Sequence, residues 1–247
     1  MTKTAYYCEI LKTLDDWIPY LEKECNLPGP RGNLELAFTV AETGKREKFE
    51  QLLAFDPVES HTPAEFLLFC GVLGLGKLVV EGDLEQLLRL GAYASDRSWR
   101  VREATATALQ NIGDHDMELL LRVASTWSEG TWLEKRAAAA ALAEPRLLKD
   151  PQNAAKALNI LHVITLSISQ ASDRTGEGFR VLRQAMGYCW SVVVAALPGP
   201  GKPLMETWLA STDVDIRWIM RENLKKNRLL KTDPAWVRRC QAEFLAR

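Results

Sequence analysis

Trp99 and Glu103 stand one helical turn apart, and their types could do chemistry together. An i, i+4 spacing sets both on one face of a helix. An indole ring offers a face for stacking and for a cation, and a nearby carboxylate stabilises positive charge that develops in a reaction. A structural reading competes with this one. Glu103 then makes a salt bridge between helices, and Trp99 packs into the core as most large aromatics do.

Arg136, Arg183, Arg217 and Arg221 form a second set. Guanidinium forks suit bidentate phosphate contacts. The same arginines would equally bridge neighbouring repeats through carboxylates such as Asp213 and Asp215. Trp190, Trp208, Trp218 and Trp236 make the last third aromatic-rich, as a base-stacking platform would be. Yet Trp190, Val193, Val194 and Leu197 keep the spacing of a core face.

The histidines His61, His115 and His162 are far apart. Asp114-His115-Asp116 resembles a loop ligand set, but Asp114 is explained as a helix cap, so no metal and no cofactor are expected. GxSxG, P-loop and GxGxxG motifs are absent.

Residues of this kind need a scaffold, and composition bounds it. The chain has 247 residues, 47% apolar and 26% charged, as in an ordinary globular protein. Its five cysteines are scattered without a CxxC pair, which predicts free thiols in a reducing, cytoplasmic compartment. No charged-then-apolar leader opens the sequence, and the apolar run from Phe66 to Leu75 is about half of what a membrane span needs. Membrane partners are therefore not expected. The net charge of −1 divides unevenly, as −7 over residues 1–96 and +6 over residues 97–247. From Arg217 onward, 9 basic residues face 3 acidic ones, a pattern that fits an anionic partner or an uneven solvated surface.

Periodicity predicts helices almost throughout. One runs over 4–24, with Tyr7, Ile10, Leu11, Leu14, Trp17, Ile18 and Leu21 at three- and four-residue steps. Thr62-Pro63-Ala64-Glu65 reads as a helix start with a capping box. The apolar helix after it carries Gly71, Gly74 and Gly76, which weaken it locally and would let a neighbour approach. Ser98 or Asp96 should cap a helix to Asn111, with Gly113 ending it and Asp114 capping the return. Pro198-Gly199-Pro200-Gly201-Lys202-Pro203 reads as the clearest break in the chain.

The stretch from Asp96 to Leu142 carries an internal repeat. Trp99 recurs as Trp132, Arg102 as Lys135, Ala104 as Ala137 and Leu109 as Leu142, each 33 residues on. A fixed period of this size signals stacked helical repeats, since one hairpin cannot bury its apolar face alone. The expected fold is all-α, a right-handed α-solenoid of antiparallel helix pairs. Residues 1–32 are expected to form an N-terminal capping helix and loop, and 33–247 the repeat domain.

Val101-Arg102-Glu103-Ala104, Ala108-Leu109 and Ile112-Gly113-Asp114 resemble the HEAT repeat, a likeness that covers about residues 33–245. The chain also distantly resembles the bacterial alkylpurine DNA glycosylases built from HEAT-like repeats. That family has a tryptophan and an aspartate one turn apart on a helix, then a Trp-Leu-Arg-Arg-Ala segment, then Arg-Lys-Ala-Ile-Gly-Trp. Trp99 with Glu103, Trp132-Leu133-Glu134-Lys135-Arg136-Ala137 and Arg183-Gln184-Ala185-Met186-Gly187-Tyr188 match in turn. The acid is one methylene longer here, the last aromatic is Tyr188 or Trp190, and Arg100 and Arg102 flank Glu103. The resemblance implies bent DNA held by its phosphates and a cationic alkylated base stacked on Trp99. Glu103 would favour departure of that base.

Two functions follow as expectations. The first is a non-enzymatic scaffold whose concave face binds a macromolecular partner, protein or DNA. The alternative is a DNA-binding protein of the alkylation-repair type, extending to an alkylpurine DNA glycosylase with Glu103 as its catalytic carboxylate.

Overall fold

Local chemistry starts most helices where the sequence places a cap. Thr62 accepts a hydrogen bond from the Glu65 N–H and Pro63 occupies the first turn, where its missing N–H costs nothing. Thr131 and Glu134 make a reciprocal capping box. The computed structural model describes residues 2–245, without the Leu245 side chain. Among these residues every regular element is helical, and they form two compact units, Met1–His115 and Asp116–Arg247.

The first unit comprises α1 (Lys3–Thr13), α2 (Ile18–Glu24), α3 (Leu34–Thr43), α4 (Arg46–Leu53), α5 (Pro63–Val80), α6 (Gln86–Ala94) and α7 (Trp99–His115). Alternate helices α1, α3, α5 and α7 pack in succession, and α4 and α6 pair with their sequence neighbours. This is the two-layer order of an α-solenoid. The helix expected over 4–24 is two helices. Asp16 accepts from the Ile18 N–H and Pro19 lacks a donor, so the chain turns between them. Helix α1 lies against α3, and α2 against α5.

Helix α5 is the hub of this unit. It is long and apolar enough to cross a membrane, with a mean hydropathy of 1.7, but 78% of it is buried inside the protein. Its neighbours come close because glycines face them. A methyl group on Gly74 would sit 2.2 Å from the Phe49 ring, and one on Gly76 would sit 2.9 Å from Ala108. Gly74→Ala is therefore expected to destabilise by about 1–3 kcal/mol through overpacking, despite alanine's better helix propensity. Chemical denaturation measures this, and a variant as stable as the parent would show that Phe49 moves aside freely.

The second unit comprises α8 (Met117–Trp127), α9 (Trp132–Leu142), α10 (Pro151–Ser169), α11 (Glu177–Ala196), α12 (Pro198–Leu209), α13 (Val214–Leu224), α14 (Asn227–Thr232) and α15 (Pro234–Leu245). Here α9, α11 and α13 stack in succession, while α8, α10 and α12 pair with neighbours. Buried Asn223 ties α13 to α11. Its amide donates to the Met186 and Ile219 carbonyls, and its Oδ1 accepts from the Ser191 N–H at 2.7 Å.

Two further expectations about boundaries fail. Pro198–Pro203 is not a break but the start of α12: Pro198 and Pro200 fall in the first turn, where helical N–H groups have no partner anyway, and Pro203 lies inside the helix. Helix α7 runs through Gly113 to His115, and Asp116, not Asp114, caps α8 through the Leu119 N–H. The cysteines are free, with Cys25, Cys70, Cys189 and Cys240 buried. Burial pushes the Cys70 thiol well above its usual range and Cys240 up to about 11.

Candidate functional site

Helix α7 begins at Trp99, and what holds its first turn decides where that ring points. Ser98 caps the helix, accepting from the Arg100 and Val101 N–H groups, while its own hydroxyl donates to Glu65. Glu65 is fully buried and also accepts from the His61 N–H at 2.8 Å. Arg100 Nε lies 3.1 Å from Glu65 Oε2, and its Nη2 donates to His61 Nδ1 at 3.0 Å. His61 makes both contacts from a left-handed backbone, φ 63°, which costs a non-glycine residue roughly 1 kcal/mol or more. The Arg100 guanidinium, so anchored, sits 4.5 Å from the centre of the Trp99 ring. Trp99 itself is 47% exposed. Glu103, one turn on, is half-buried and engaged in the fold.

The equivalent position in the following repeat is built differently. Trp132 also opens its helix, but its ring meets Phe179 edge-on at 5.4 Å. Lys135 repeats the work of Arg102. Arg102 Nη1 reaches back to the Asp96 carbonyl at 2.8 Å, and Lys135 Nζ reaches back to the Gly130 carbonyl at 2.6 Å. Each cation fastens the loop in front of its own helix. Burial pulls the Lys135 ammonium below the usual lysine range.

The arginines of the second unit separate by partner. Arg183 is spent on Asp215 at 2.6 Å, and its guanidinium lies 4.0 Å from the Trp218 ring centre. Arg217 stacks on Phe244 at 4.2 Å and donates to the Phe244 carbonyl. Arg136 is buried on α9 and engaged. Arg221 is exposed, and among the described residues its ion-pair contact is a long one of 3.8 Å to Glu222. Trp190 is fully buried and donates to Thr165 Oγ1 at 3.0 Å, so it is a core residue with no face for a partner. Tyr188, two residues before it, turns outward and is 41% exposed. Its hydroxyl accepts from Arg228, whose guanidinium is 4.5 Å from the ring centre, and Lys226 Nζ is 5.8 Å from it.

The main charge cluster of this unit centres on Arg174, which periodicity does not reveal because its partners lie about forty residues on. Arg174 grips Asp213 with both Nη atoms, at 3.0 and 2.7 Å, and Asp215 at 2.8 Å. A depression of about 580 Å³ beside α12 and α15 is also lined by charges, but they satisfy one another. Lys202 pairs with Asp233 at 2.6 Å, and Glu206 accepts from Trp236 Nε1 at 2.7 Å and from Arg239 at 2.8 Å. Trp208 donates its indole N–H to His162 Nδ1 at 3.2 Å. Among the described residues no group of three His, Cys, Asp or Glu side chains is placed to hold a metal ion.

No family profile matches this sequence, and no curated protein does. A solved structure similar to it is the designed armadillo repeat protein YIII(Dq)4CqI. The two are 15% identical with a TM-score of 0.34, over 84% of this chain and 98% of that one.

Proposed function

We propose that this chain is a helical-repeat binding scaffold without chemistry of its own, which takes a macromolecular partner, protein or nucleic acid. The observation behind this reading is the Trp99–Arg100 plate. Both tryptophans carry a cation, Lys135 Nζ at 5.4 Å from the Trp132 ring, but α9 packs its ring edge-on against Phe179, whereas α7 leaves the ring half in solvent under a fixed guanidinium. Tryptophan and arginine are the residues that dominate binding hot spots, and a rigid pair loses little entropy when it is covered. A photo-crosslinking phenylalanine at position 99 is expected to capture a discrete partner in cells. The same group at Leu88, 82% exposed in the same unit, is not. Capture that is equal at both positions, or absent at both, would count against the scaffold.

A second reading draws on the same exposed ring. Trp99 and Glu103 keep the one-turn spacing of the alkylation-repair resemblance, so a cationic base could stack on Trp99 while Glu103 supports its departure. Incubation with duplex DNA carrying N3- or N7-methylpurines separates the two. The scaffold predicts no base release above background with protein in excess. Release that disappears in Glu103→Gln would replace it with an alkylpurine DNA glycosylase.

A further inference from the structure

The corner between α13 and α14 holds positive charge that the fold does not neutralise. Arg221, Lys225, Lys226, Arg228 and Lys231 fall within one short stretch that contains a single acid, Glu222. Glu222 is taken by Lys225, whose hydrogen bond holds its carboxyl below the usual range. The next acid, Asp233, is taken by Lys202. Among the described residues no carboxylate pairs with Lys226, Arg228 or Lys231. Another well-anchored guanidinium of this unit, Arg174, is fixed by carboxylates that offset its charge. Arg228 is fixed instead by a neutral group, the ring and hydroxyl of Tyr188. It keeps its charge and most of its five N–H donors for something else. Lys225, Lys226, Asn227, Arg228 and Lys231, with Pro145, line an open depression of about 500 Å³.

We infer that this depression is an anion site for a chain of contiguous phosphates, as in free tripolyphosphate or the phosphate tail of a nucleotide. Crowded like charges repel one another, and an anion placed among them removes that cost. Each phosphate carries strong acceptor oxygens that match ammonium and guanidinium donors. The compactness of the cluster favours a small ligand over a polymer. A nucleic-acid backbone is tracked by cations spread along a groove on a strongly basic domain, whereas these sit in one corner, and residues 97–247 as a whole carry only +6. The site lies in the second unit and does not rest on the partner proposed for Trp99.

Calorimetric titration of the full chain at low salt, with tripolyphosphate as probe, tests this. Saturable binding is expected, weakened at least about tenfold in Lys226→Ala/Arg228→Ala/Lys231→Ala and weakened by added salt. Lys156→Ala, whose cation is paired with Glu118 and is not among the residues that line the depression, should change affinity by less than about threefold. These side chains are partly or wholly exposed, so circular dichroism should show the variants folded. Adenosine triphosphate forms the second arm. Equal affinity means that phosphates alone are read, and tighter binding lost in Tyr188→Ala means that the base stacks as well; both support the site. Three results would overturn it: no binding of tripolyphosphate, binding unchanged in the triple variant, or oligoglutamate binding as tightly. Duplex DNA bound through the same residues while tripolyphosphate is not would also overturn it, in favour of a polymer surface.

Discussion

Arg100→Leu is expected to lower the unfolding free energy by about 3–5 kcal/mol, the usual cost of stripping one partner from a buried ion pair. Glu65 has no access to water, and leucine would leave it facing only the Ser98 hydroxyl and the His61 N–H. His61 would also lose the donor that its Nδ1 faces, and with it part of the support for its strained backbone. The double variant Glu65→Leu/Arg100→Leu should be less damaged than the two single losses summed, because it buries no orphan charge. Urea denaturation of the four proteins gives the coupling directly. A single variant within about 1 kcal/mol of the parent would mean that the Ser98 hydroxyl and the His61 N–H suffice for Glu65 without the guanidinium. Such a loss would also release Trp99, so binding through that ring and stability of the first unit should fall together.

Arg174→Ala is expected to cost about 2–4 kcal/mol, discounted from the fully buried case because the side chain is partly exposed. Two carboxylates would remain with Arg183 alone, and Arg183 reaches only Asp215. Burial by itself raises the pKa of Asp213. The hydrogen bonds from Arg174 and from the Ile216 and Asp215 N–H groups outweigh it and hold the group below its usual 3.8. A folded pKa below the unfolded one stabilises above the unfolded value, and that stabilisation is lost as pH falls through the folded value. The gap between parent and variant should therefore be full near neutrality and should narrow below about pH 4, as the Asp213 carboxyl takes up a proton. Unfolding measured at pH 7 and at pH 3 shows whether it does. A gap that stays constant would mean that Arg174 acts through its contacts to the Ser169 and Ala171 carbonyls instead.

These two clusters mark what could be read in the sequence and what could not. Short-range features were legible. The 33-residue register puts Trp99 and Trp132 at the starts of their helices, and Arg102 and Lys135 do the same job in each. Thr62 caps as its neighbours suggest, although the Glu65 carboxylate takes the His61 N–H rather than closing a capping box, and the glycines of α5 do admit Phe49 and Ala108. Proline punctuation misled at 198–203, since the same residues that break a helix also begin one well. Long-range polar pairing was illegible. Arg174 lies in the polar segment between α10 and α11, and only the fold brings it to Asp213 and Asp215. Likewise, nothing in periodicity says that Trp132 meets Phe179 while Trp99 stays outside, or that Arg183 is spent on a carboxylate while Arg228 leans on a phenol ring.

The buried thiols have a practical consequence. Cys25 and Cys70 lie in the first unit, Cys189 and Cys240 in the second, and all four are shut away from solvent. A maleimide or iodoacetamide added to the native protein can reach them only when the surrounding helices open. The chain thus carries its own tags for each half. Mass spectrometry after a labelling pulse would report, peptide by peptide, which unit breathes more often, without adding a dye or changing a residue.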